Sequence, residues 1–239
     1  MHHILMLSSS RASTEDYLHH AIPMIDAHLA KTSATATTIV FIPYAGVTID
    51  YEEYTARVSA ALPSKNIRGI HTFDSAREGL DAADVIMVGG GNTFQLLQQL
   101  YANELIEPIQ QRVNNGLPYI GWSAGSNICG RTIRTTNDMP IVEPDSFAAL
   151  GFIDCQLNPH YSDYQPPNHN GETRDQRLAE FCQLCPKTPV IAIREGTALT
   201  KYGDDVTLVG ALDGFVFIGN KKLPITSGEQ LKKWATEQN

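Results

Sequence analysis

The stretch Val85-Ile86-Met87-Val88-Gly89-Gly90-Gly91-Asn92-Thr93 decides the fold. Four consecutive aliphatic residues without polar alternation read as a strand buried on both faces, the habit of parallel sheets covered by helices. Three glycines end the run, and Phe94-Gln95-Leu96-Leu97 then opens a helical pattern. Working outward, Ile4–Leu7, Ile39–Ile42, Ile67–His71 and Tyr119–Gly121 are further aliphatic runs of strand length. Between the second and third of these strands, Tyr54, Val58, Ala61 and Leu62 recur at helical spacing, Asp50 and Glu53 form a capping-box pattern, and Pro63 closes the segment. Strands separated by helices pair in parallel, so the chain is expected to form an α/β fold with a doubly wound, mostly parallel sheet.

The segment from about 131 to 170 is rich in Thr, Asn, Asp, Pro and His and weakly periodic, which reads as loops over the sheet. Thr173 and Gln176 fit a capping box for a helix running through Leu178, Phe181 and Cys182. The runs Val190–Ile193, Leu199–Tyr202, Thr207–Val209 and Phe215–Ile218, with turn signals between them, predict a small antiparallel extension near the C-terminus. Ser227 and Gln230 then fit the cap of a last helix carrying Leu231 and Trp234. No repeat or linker divides the 239 residues, so residues 1–239 are read as one domain.

The chain has 18 basic and 26 acidic residues and a formal net charge of −8, without a basic patch, which argues against nucleic acid as partner. No apolar run is long enough to span a bilayer, and Ile4–Leu7 is too short for a secretory signal; a cytoplasmic location is expected. Four cysteines, at 129, 155, 182 and 185, do not make a disulfide framework. Cys182 and Cys185 form C-x-x-C at the end rather than the start of a helix and lack two further ligands, so no metal or cofactor is expected.

The chemistry centres on Gly121-Trp122-Ser123-Ala124-Gly125, a G-x-S-x-G after an apolar strand and before a helical segment. A sharp strand-to-helix turn leaves no room for a Cβ two residues before or after its serine, and it exposes the hydroxyl of Ser123. The N–H of Ala124 is placed to donate to a developing oxyanion, and the glycine turn around Gly90 is placed to supply the second donor. Spacing there matches neither G-x-G-x-x-G, because Phe94 holds the last position, nor a phosphate-binding loop with its lysine. A serine nucleophile needs a base. Of eight histidines, His2 and His3 are terminal, His19, His20 and His28 are read on one helix, and His71 ends a strand. Two loop histidines are left, of which His160, after Asn158-Pro159, is a better candidate than His169. For the carboxylate that would orient the imidazole, Asp138 and Glu195 both qualify, Glu195 at a strand end and Asp138 in a turn-like loop.

Several long blocks together resemble the peptidase E family, serine peptidase family S51. These are the run from Val88 to Leu97, Gly121 to Gly125, Thr132 to Val142, Asn158-Pro159-His160 and Gly171 to Arg174. The resemblance extends from the amino-terminal Leu-Ser-Ser to Glu195-Gly196. It implies a flavodoxin-like sheet related to class I glutamine amidotransferases, with serine where those enzymes use cysteine. It also implies hydrolysis of small peptides, dipeptides of the form Asp-Xaa, without metal or cofactor. By motif position it puts the nucleophile on Ser123, the base on His160 and the triad carboxylate on Glu195, and gives Asp138 a supporting or substrate-orienting role. Selectivity for aspartate needs a cation, and Arg131, Arg134 and Arg174 occupy the nearest loops, with Arg174 ranked first and Asn92 joined to Arg174 and Arg134 as substrate-binding. The departure is small: Ser126 stands where alanine is common, while the usual aromatic after the histidine is present as Tyr161. The rival readings are a broader serine peptidase or esterase and a non-catalytic, amidotransferase-like binding module. A homodimer is the expectation from frequency alone.

Overall fold

A computed structural model describes residues 1–32, 38–168 and 170–231. In chain order the elements are β1 (His3–Leu7), α1 (Ile22–Ala30), β2 (Ile39–Ile42), α2 (Tyr51–Ala61), β3 (Ile67–Gly69), α3 (Ala76–Asp81), β4 (Val85–Val88), α4 (Thr93–Ala102), α5 (Ile106–Asn114) and β5 (Tyr119–Trp122). There follow α6 (Ala124–Asn127), β6 (Gln156–Asn158), α7 (Arg174–Leu184), β7 (Val190–Ala192), β8 (Thr197–Tyr202), β9 (Asp205–Gly210), β10 (Gly214–Ile218) and β11 (Lys221–Ile225). The main sheet has the order β3-β2-β4-β5-β1-β8-β9, its first five strands parallel and its last two antiparallel. Strand order reverses between β2 and β4, which opens a crevice at their carboxyl ends where such sheets bind ligands.

The four aliphatic residues of β4 are fully buried because alternate side chains serve two cores. Ile86 and Val88, with Ile4, Met6, Val40 and Ile42, pack against Leu96, Leu97 and Leu100 of α4 and Ile109 and Val113 of α5. Val85 and Met87, with Leu5, Leu7, Ile39 and Phe41, pack against Ile25 of α1 and Tyr54 and Val58 of α2. The doubly wound, flavodoxin-like reading holds.

Several details differ from expectation. The run Ile67–His71 is a strand only to Gly69, after which Ile70–Thr72 form a 3-10 turn. His19 and His20 lie in a 3-10 turn and His28 in α1, so the three do not share one helix. The helix after the nucleophile turn is a single turn, Ala124–Asn127. The antiparallel part is larger than expected: β8 and β9 extend the main sheet, and a second sheet has the order β11-β10-β7-β6, antiparallel except for its parallel β7–β6 pair. The body of the last helix expected around Trp234 lies outside the described residues, as does His169, but its expected cap is not formed: Ser227 Oγ donates to Gly210 O at 2.5 Å and Gln230 makes an isolated bridge with Thr207. Among the described residues no helix is long and apolar enough to cross a membrane.

Candidate active site

Ser123 sits at φ 54° and ψ −112°, a backbone conformation that a side-chain-bearing residue adopts only when its surroundings impose it. The imposition is visible at its neighbours. A Cβ on Gly121 would collide with the carbonyl of Gly125, and one on Gly125 would collide with the carbonyl of Val88. Main-chain atoms from β1 complete the turn: Ser123 N–H donates to Leu7 O at 3.2 Å, and the buried Ser126 Oγ donates to the same oxygen at 2.7 Å. That second bond is what the hydroxyl of Ser126 adds over an alanine.

His160, itself at φ 55°, follows β6. Its Nε2 lies 2.7 Å from Ser123 Oγ, and its Nδ1 lies 2.7 Å from Glu195 Oε1 on the β7–β8 connection. A carboxylate can only accept, so Nδ1 carries the proton and Nε2 is left to accept from the serine hydroxyl. The histidine's main chain is clamped too: its N–H donates to Ser8 Oγ at 2.9 Å, and Ser8 Oγ donates to Ile193 O at 2.9 Å. Ser8, the residue after β1, thereby ties together the segments that carry the base and the carboxylate.

Asp138 is not the partner of His160. Its Oδ2 accepts from Thr93 N at 2.7 Å, Thr93 Oγ1 at 2.5 Å and Thr136 Oγ1 at 3.2 Å, at the start of α4. Asn137 and Asn158 link this loop to the histidine segment through Asn158 Nδ2 to Asn137 Oδ1 at 2.8 Å and Asn137 Nδ2 to Pro159 O at 2.8 Å. A narrow crevice lined by Thr93, Asp138, Asn137 and Pro159 shares Ser123 and His160 with the larger cleft on the other side of the nucleophile.

The larger cleft, about 470 Å³, lies at the strand-order reversal. The loop after β2 (residues 45–49), Gly90 to Asn92 after β4, and Tyr17, Tyr54 and Arg57 line it. Gly89 N–H and Asn92 N–H bond back to Ile42 O and Ala45 O at 3.1 and 2.9 Å, which fixes the segment between them. Gly90 packs on the nucleophile so closely that a Cβ there would stand 2.9 Å from Ser123 Cβ. Tyr54 OH donates to Gly90 O at 2.8 Å, and burial pushes the phenols of both Tyr54 and Tyr17 up, so they stay protonated donors. Asn92 serves the scaffold, since its Oδ1 caps α4 by accepting from Gln95 N at 3.0 Å while its Nδ2 donates to Met139 O at 2.9 Å.

Neither Arg134 nor Arg174, expected beside the substrate, lines this cleft. Arg134 holds its guanidinium 5.2 Å from the Phe181 ring and 3.5 Å from Cys185 Sγ. Arg131 pairs with Asp154. Arg174 opens α7 in a small pocket with Asp163 and Tyr164; burial lowers its pKa, and its Nη1 has no hydrogen-bond partner among the described residues. Arg57, Tyr54 and Ser8 went unnoticed in the sequence. Tyr54 and Ser8 carry a positional signal, a polar residue on the buried face of a helix or at the carboxyl end of a buried strand, and many such residues are only structural, whereas Arg57 is an exposed helical residue without that mark. Among the described residues no cluster of three or more His, Cys, Asp or Glu is arranged to hold a metal.

A parallel α/β sheet that presents a strained serine, hydrogen-bonded to a histidine that is in turn hydrogen-bonded to a glutamate, defines a serine hydrolase. The model of peptidase family S51 matches residues 4–209. The chain is 50% identical to Peptidase E of Shewanella amazonensis over 232 residues, covering 96% of this chain and 97% of that one. It is equally 50% identical to Peptidase E of Shewanella oneidensis, over 95% of this chain and 96% of the relative. Among solved structures, a peptidase from an acI-B1 Actinobacterium superposes with a TM-score of 0.66 at 18% identity, covering 95% of each chain, which speaks for the fold alone. The chain belongs to peptidase family S51, and it is a serine peptidase.

Proposed function

We propose that this peptidase removes an amino-terminal aspartate from dipeptides through an acyl-enzyme on Ser123. The observation that carries the reading is the pair of 2.7 Å contacts from Ser123 Oγ to His160 Nε2 and from His160 Nδ1 to Glu195 Oε1. Ser123 Oγ attacks the scissile carbonyl carbon while His160 Nε2 takes the hydroxyl proton and Glu195 holds the imidazolium. The carbonyl oxygen becomes an oxyanion beside the N–H groups of Ala124 and the Gly90 segment. As the tetrahedral species collapses, the C–N bond breaks and the proton on Nε2 passes to the leaving amine. Water, deprotonated by the same nitrogen, then hydrolyses the ester.

The substrate's free ammonium enters the crevice of Asp138, whose carboxylate is anchored by Thr93 and Thr136 and is the sole acidic side chain lining it among the described residues. Arg174 takes the aspartyl side chain, since a half-buried guanidinium with an open donor gains by acquiring an anion. Asn92 lines the cleft while it caps α4, and Arg134 shapes the site from further out. Free cysteines at 129, 155, 182 and 185 suit a reducing, cytoplasmic setting. The test is hydrolysis of Asp-Leu beside Glu-Leu, Ala-Leu and N-acetyl-Asp-Leu by wild type and Ser123→Ala. Cleavage of Asp-Leu alone, lost on the order of 10⁴-fold in Ser123→Ala, is expected. Equal cleavage of Ala-Leu would make the enzyme a broader peptidase, and undiminished activity of Ser123→Ala would remove the nucleophile.

A further inference from the structure

We propose that Arg57 is a specificity residue that takes the terminal carboxylate of the leaving amino acid, an inference that rests on the dipeptidase reading above. Two crevices meet at Ser123, and they carry opposite charge. The narrow one holds Asp138. The larger one is lined, among the described residues, by a single Lys or Arg side chain, that of Arg57. A dipeptide bound across the nucleophile has the same polarity, an ammonium at one end and a carboxylate at the other. With the ammonium in the narrow crevice, the residue beyond the scissile bond extends into the larger one.

Arg57 is built to wait there. Tyr54, one turn earlier on α2, is bonded to the Gly90 carbonyl at 2.8 Å, which fixes that face of the helix against the segment beside the nucleophile. Glu53, four residues before Arg57, accepts from Arg57 Nη2 at 3.1 Å. That contact occupies one of the five guanidinium donors and steadies the fork, whose geometry suits a carboxylate. As a half-exposed pair within one helix it contributes little to stability, so its value to the fold does not explain the placement. The exposed apolar side chains of Val47 and Ile141 line the same cleft and match an apolar second residue.

The experiment measures kcat and KM of wild type and Arg57→Gln on Asp-Leu, on Asp-Leu amide, which lacks the terminal carboxylate, and on Asp-p-nitroanilide. Arg57→Gln is expected to raise KM for Asp-Leu at least about tenfold with kcat within about threefold, and to leave the amide and the anilide unchanged. A change in KM for Asp-Leu below about twofold overturns the proposal. So does an equal rise for the amide, which would move Arg57 to the aspartyl side chain, and so does loss of anilide hydrolysis. Failure of the wild type to cleave any of the three, with cleavage of Ala-Leu and not of Ala-Leu amide, would overturn the aspartyl reading and leave that of Arg57 standing.

Discussion

Gly125 shows how a single residue type can be dictated by geometry. The carbonyl of Val88 occupies the space its Cβ would need, and β4, paired with β5, cannot yield without breaking sheet pairing. Gly125→Ala is therefore expected to cost about 3 kcal/mol or more in urea unfolding and to cut fluorophosphonate labelling of Ser123 in whatever folds. The same steric logic makes the five-residue turn legible in the amino-acid sequence. The choice between Asp138 and Glu195 is not legible there, since both stand in loops and only tertiary contacts distinguish them. Glu195→Gln is expected to lower kcat on the order of 10²-fold or more, because an amide can no longer favour the tautomer that leaves Nε2 unprotonated. The effect is tempered by side-chain exposures of 54% for Glu195 and 38% for His160. Asp138→Asn is expected to act mainly on KM, and a kcat loss confined to Asp138→Asn would reverse the two assignments.

At the level of elements, buried strands and capped helices are readable because each rests on a local rule. Thr173 illustrates one: its Oγ1 accepts from Gln176 N at 3.2 Å while Gln176 Oε1 accepts from Thr173 N at 2.8 Å. Thr173→Ala should cost about 1 kcal/mol, measured by urea denaturation. A loss under a few tenths would mean the α7 terminus is held by tertiary contacts instead. The second sheet is not readable as such. Its strands β6 and β7 are three residues each, too short to show a period, and although a short apolar strand can be read before His160, its pairing of Leu157 with Ile191 cannot. The hairpin pairing of β8 and β9 is visible in the turn signal between them, but not that they join the parallel sheet beside β1.

For the molecule as a whole, an acid weakness is built into the face of the sheet opposite α4 and α5. His28, buried on α1, has its pKa lowered from 6.5 to about 4 by burial, and its Nδ1 lies 3.0 Å from Tyr202 OH. Between those values the unfolded chain binds the proton and the folded one does not, so stability is complete above about pH 6.5 and is lost as pH falls toward 4. The loss is on the order of 3 kcal/mol. Replacing His28 by Gln should flatten the urea midpoint against pH between those limits, and an unchanged slope would assign the acid sensitivity elsewhere. The sequence hides this histidine, because nothing local marks it as buried. The hub at the end of β1 carries a different consequence. Leu7 and Ser8 reach Ser126, His160 and Ile193 across separations of 119, 152 and 185 residues. Contacts that distant in the chain carry a large loop-closure cost before they reward folding. A nascent or partly refolded chain thus lacks an armed serine, and recovery of activity after denaturation should coincide with the last folding phase. In a cell, that timing keeps a hydrolytic centre silent until synthesis has passed residue 195.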